Sequence, residues 1–158
     1  MASAIMFHHF HNEKHPVGQG SLSAECFDAL LSKIKARCNI LSSDEYIHKC
    51  LHNKLSETDI CLTFDDGLKC QYDVALPVLD AWDLKAFFFI PSQPLVGKAI
   101  NLEWHRYFRS AFYDDIDVFY EEFFEVCTRA CPTELSRALS YCGSNVYRKE
   151  HSFYSAND

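Results

Sequence analysis

Along the first ninety positions, hydrophobic residues follow two alternating rhythms. Short apolar runs at Ala4–Phe10, Asp59–Phe64 and Ala86–Ile90 are bounded by polar or turn-forming residues, and their length and composition predict buried strands. Between them, apolar residues recur every three or four positions. Phe27, Leu30, Leu31, Ile34 and Cys38 predict a one-faced helix, which Ser21 or Ser23 can cap. An extended piece over 39–41 leads to Ser43-Asp44-Glu45 as a second cap, ahead of a helix that turns Ile47, Cys50 and Leu51 inward. Val74, Ala75, Val78 and Leu79 predict a third helix from about Gln71 to Trp82, where Pro77 signals a kink or a later start. This alternation of strand and helix implies parallel strands joined by crossover helices, an α/β architecture.

From Asn101 the rhythm is helical throughout. Ile116, Phe119, Tyr120, Phe123, Phe124 and Cys127 share a face, with Asp and Glu opposite, as in a surface helix with one buried stripe. Pro132-Thr133-Glu134 opens a further helix to about Tyr141, and 143–158 has no periodicity. The expected organisation is a β/α unit over 1–100, a helical segment or insertion over 101–142, and a poorly ordered or truncated tail over 143–158. With no strand after these helices the sheet looks unfinished, and a chain of this length is expected to hold an incomplete site.

Composition narrows the partners. The chain has 158 residues and is 48% hydrophobic, enough for one packed domain. Its net charge of −7 argues against nucleic acid or an anionic membrane as the main partner, because both select a basic face. No apolar stretch approaches the roughly 20 residues that span a bilayer, and the N-terminus has no secretion-signal pattern. The eight cysteines include no Cys-x-x-Cys pair and read as reduced thiols of a cytoplasmic protein. Cys127 and Cys131 are one helical turn apart, on a stripe whose ordinary role is packing.

In parallel α/β folds, ligands bind beyond the carboxyl ends of the strands. His8, His9 and His11 follow the first strand, Asp65 and Asp66 the second clear one, and Ser92 the third. Adjacent carboxylates before a glycine suit divalent-metal chemistry, one holding the cation while the other takes a proton. The alternative is that Asp66 caps the following helix, where an anion gains about 0.3–1 kcal/mol. Two His-x-x-x-His pairs lie upstream. Pro16 takes His15 of the His11/His15 pair out of helical geometry, and His48/His52 flank the solvated side of their helix.

The string Leu62-Thr63-Phe64-Asp65-Asp66-Gly67 resembles the first motif of the polysaccharide deacetylases, also called the NodB homology domain or carbohydrate esterase family four. The opening Met6-Phe7-His8-His9-Phe10 is similar to that family's first strand. The segments 73–80 and 84–90 are similar to the helix and strand that follow the motif, so the resemblance covers about 4–97. It implies the N-terminal part of an irregular (β/α) barrel with a helical C-terminal region, acting on a carbohydrate from which N- or O-linked acetyl groups are removed. By position, Asp65 is then the general base and Asp66 a ligand of a divalent cation, usually zinc. The family's His-Ser/Thr-x-x-His motif is missing: after Gly67 only His105 and His151 remain, far apart. His8, His9 and His11 are therefore candidates for a share in the site, and Trp104 and His105 for lining a sugar subsite. A catalytically inactive glycan- or partner-binding relative is the alternative. A phosphoacceptor signalling domain is disfavoured, because Ser92 stands where that chemistry needs an Asp.

Overall fold

The computed structural model describes residues 3–18 and 20–142, with the backbone alone for Tyr141 and Cys142. The expected tail over 143–158, and His151 within it, lie outside the described residues. The described residues form four strands: β1 (Ser3–Phe7), β2 (Asn39–Ile40), β3 (Asp59–Phe64) and β4 (Phe87–Phe88). Between them run α1 (Ala24–Lys35), α2 (Ser43–Leu51) and α3 (Leu76–Ala81). Helices α4 (Ser92–Leu95), α5 (Asn101–Phe112), α6 (Ile116–Ala130) and α7 (Pro132–Cys142) follow. Packing divides the chain into two compact units, one ending at Trp104 and one beginning at His105.

The four named strands all pair in parallel. β3 is central, paired along its length with β1 from Ser3↔Ile60 to Phe7↔Phe64. On its other side, β2 meets its start at Asn39↔Asp59, and β4 meets its end at Thr63↔Phe87 and Phe64↔Phe88. The α/β order read from the sequence holds. The described strands form an open sheet in which β1 lies against β3.

Side-chain alternation along β3 sends Leu62 and Phe64 to one face and Cys61 and Thr63 to the other. The first face carries the main core, where Phe7, Phe10, Phe27, Leu31, Val74, Val78 and Leu79 are buried with Leu62 and Phe64. Phe27 packs edge-on to Phe7 and Phe10 at 5.0 and 5.1 Å between ring centroids, while Phe64 stacks on Phe88 at 4.7 Å. A smaller cluster joins Cys61 to Leu41 and Tyr46.

Several expected details change. α1 keeps its apolar face and takes Ser23 as its cap, the Ser23 hydroxyl accepting from the Cys26 amide. In α2 the buried residue is Tyr46, whereas Ile47 and Leu51 are exposed. This nine-residue helix is anchored by Tyr46 beside Leu41 and Cys61 and edge-on to Phe87, which turns the expected apolar face outward. The third helix is also split. Gln71–Ala75 forms a π-helical turn, with the Leu76 amide donating to the Gln71 carbonyl, and regular α3 starts beside Pro77. Proline supplies no amide hydrogen, so the wider turn ahead of it removes the conflict. In the second unit, no residue of α6 is fully buried. Its expected stripe consists of rings packed on one another, such as Phe119 on Phe123.

The start of β3 carries a buried anion. Asp59 accepts from the Ser56 amide at 3.0 Å, the Asn39 side chain at 3.1 Å and Lys49 Nζ at 3.4 Å. The Ser56 amide first, and then Asn39 and Lys49, hold its carboxyl down to about 2. A carboxyl depressed in the folded state stabilises the fold above its ordinary pKa near 4, and that contribution is lost as pH falls toward 2. The unfolding temperature should therefore climb between pH 2 and 4. In Asp59→Asn that climb should be reduced, which thermal melts across this range would show.

Candidate active site at the strand ends

Because β1 and β3 run parallel and in register, Phe7 and Phe64 end their strands side by side. The next residues, His8 and Asp65, emerge together. His8 Nε2 lies 3.9 Å from Asp65 Oδ2 and 3.8 Å from Asp66 Oδ2. All three side chains are about one-third exposed, at 32–34%. Phe7 and Phe64 are themselves buried in the aromatic core, so the packing that stabilises the unit also sets this spacing.

The turn that presents the two carboxylates is left-handed. Asp66 has φ of 74° and Gly67 φ of 59°, and helical bonding resumes at Lys69. Leu68, rather than Asp66, directly precedes that helix. Aspartate tolerates this backbone region better than most residues, and glycine enters it freely. At Gly67 a Cβ would also stand 3.3 Å from Ile90 Cγ2, so the residue permits both the turn and the close approach of the segment after β4. Phe89 donates its amide to Phe64 O at 2.7 Å, which brings that segment alongside. A cleft of about 520 Å³ results, lined by Met6, Thr63, Asp65, Asp66, Phe89, Ile90 and Pro91.

The other histidines are placed differently. His9 Nε2 is 3.9 Å from Glu103 Oε2, a carboxylate that sequence reasoning passed over in favour of its neighbours. His11 is hydrogen-bonded through Nδ1 to Ser21 Oγ at 2.8 Å, within the loop. His15 pairs instead with Asp73 at 2.8 Å, and that hydrogen bond, more than nearby Lys69, holds the Asp73 carboxyl below its usual range. His11 and His15 thus have separate partners. Trp104 is 67% exposed and does not line the cleft, and His105 is exposed at the start of the second unit. His52 Nδ1 donates to the His48 carbonyl at 2.7 Å, and both residues are exposed on α2 and its end. Every cysteine up to Cys131 is a free thiol, and burial raises the pKa of Cys61 and Cys70.

Two ligands of one tetrahedral zinc ion stand roughly 3.3–3.6 Å apart, close to the His8–Asp66 separation. An imidazole and two carboxylates are also suitable donors. Among the described residues, however, no set of three or more His, Cys, Asp or Glu side chains is arranged around one metal position. The cluster fits a cation in kind and spacing and falls short in number.

Residues 52–117 match the family model of polysaccharide deacetylase. Among solved structures, the Streptococcus pyogenes deacetylase PplD, in complex with acetate, is similar at 25% identity over 58% of this chain, with a TM-score of 0.46. A de-N-acetylase from Aggregatibacter actinomycetemcomitans is similar at 23% identity over 63% of this chain, with a TM-score of 0.44. The chain spans less than half of either, 43% and 40% of their lengths. No curated protein matches it. Among the described residues no helix is long and apolar enough to cross a membrane.

Proposed function

We propose, from the premise that residues 52–117 carry polysaccharide deacetylase sequence, that this chain contributes the base and part of the metal site of a hydrolase removing acetyl groups from a carbohydrate. The observation that carries this reading is the convergence of His8, Asp65 and Asp66 beside a cleft at the strand ends. The four strands are then an arc of an irregular (β/α) barrel. Asp66 and His8 would hold the cation, which when bound lowers the pKa of a water and polarises the acetyl carbonyl.

The remaining chemistry falls to the chain's own residues. Asp65 takes the proton of the attacking water as general base. Phe89, Ile90 and Pro91 give the cleft an apolar wall that offers an aromatic ring to a sugar face. The small number of ligands among the described residues favours a second reading, a non-catalytic relative that binds glycan without cleaving it. Acetate release from N-acetylated chitooligosaccharides and O-acetylated glycans, measured with Zn²⁺ present, separates the two. Release on either substrate supports the hydrolase; saturable glycan binding without release supports the binding protein.

A further inference from the structure

A residue outside the motif holds the two strand ends together. Gln71 is 1% exposed and sits at the start of the π-helical turn. Its Nε2 donates to the His8 carbonyl at 2.9 Å and to the Asp65 carbonyl at 2.6 Å. One amide nitrogen thereby satisfies the backbone of both residues that open the candidate site. The contact also accounts for where β1 stops. The apolar run continues to Phe10, but the His8 carbonyl turns to Gln71, and Phe10 pairs with Leu22 instead.

The orientation of the amide is fixed by its surroundings, since a flipped side chain would set Oε1 against two carbonyl oxygens. As it stands, Oε1 is buried with no hydrogen-bond partner among the described residues. A buried acceptor of this kind is unfavourable and calls for a reason. An apolar residue would avoid it, but would deprive the His8 and Asp65 carbonyls of this donor.

We infer that Gln71 is a positioning residue, which fixes the His8 and Asp65 loops in the mutual register the site requires. The inference takes the strand-end cluster as the site, as above, but its test can be separated from that reading. Gln71→Leu keeps the bulk and removes both bonds. Val74→Ala, in the same turn, is the control for a general loss of packing. Two readouts are needed: Zn²⁺ affinity by calorimetry, and hydrogen exchange of the Asp65 amide, which donates to the Phe7 carbonyl at 3.2 Å.

Gln71→Leu should weaken Zn²⁺ binding about 10–100-fold, the range found when groups orienting a metal ligand are removed. It should also speed Asp65 amide exchange by roughly tenfold relative to Val74→Ala at matched thermal stability. Where Gln71→Leu does not fold, Gln71→Asn takes its place, because it withdraws the amide by one methylene and loses at least one bond. Equal exchange in the Gln71 and Val74 variants would overturn the inference. If the unmodified protein binds no Zn²⁺, the metal reading fails, and the exchange comparison alone decides the role of Gln71.

Discussion

Phe27→Ala is expected to lower the unfolding temperature of the first unit by about 15 °C or more. Phe27 is fully buried and packs edge-on against Phe7, Phe10 and Phe64, with ring centroids 5.0–6.1 Å apart. Truncating such a ring removes its burial and leaves a cavity, which together are worth about 3–5 kcal/mol. For a unit of this size each kcal/mol shifts the midpoint by roughly 4–8 °C. The consequence reaches the site, because Phe7 and Phe64 directly precede His8 and Asp65. Phe124→Ala, at a 44% exposed position on α6, is the comparison and should shift the midpoint by only a few degrees. Thermal melts followed by circular dichroism would reveal the difference, and an equal shift in both variants would contradict this account of the core.

The second large effect is on turnover. Asp65→Asn should reduce acetate release by about 10²–10⁴-fold, the usual contribution of a positioned general base. The substitution preserves shape, and the backbone of residue 65 remains held by Phe7 and Gln71. Stability and Zn²⁺ affinity should therefore change little. Asp66→Ala should behave differently, losing metal affinity and activity together. Kinetics and calorimetry on the same two variants distinguish a base from a ligand. A pair of variants that lose both properties equally would show that the carboxylates act as one unit.

The sequence carried the framework well where periodicity and a turn signal agreed. The strand, helix and strand order up to Ile90, the buried Phe27 and Leu31 of α1, and the strand-end position of Asp65 all follow from such local patterns. Failures arose where tertiary contacts decided. α2 is too short for its apolar residues to choose their own face, and a contact between Tyr46 and Phe87 sets its rotation instead. α6 presents a regular apolar stripe, yet none of it is fully buried.

At the site, the same limits apply. Nothing in the spacing of His8, His9 and His11 indicates which would face Asp65; that depends on β1 ending one residue before His8 and on the register of β1 with β3. Glu103 directly precedes Trp104 and His105, which the sequence singled out, but helical spacing alone could not turn it, rather than Trp104, toward His9. Gln71 was not singled out from the sequence, although its position was there to read. It lies three and four positions before Val74 and Ala75, on the stripe that continues through Val78 and Leu79. A lone amide on an otherwise apolar helix face marks a buried hydrogen-bonding duty.

The proposal that His8 and Asp66 contribute to a metal site is tested most directly by titrating Zn²⁺ into the metal-free protein by calorimetry, beside Asp66→Ala. One-to-one binding that disappears in the variant is the predicted result. Binding that is absent from the unmodified protein, or that survives the loss of Asp66, would contradict it.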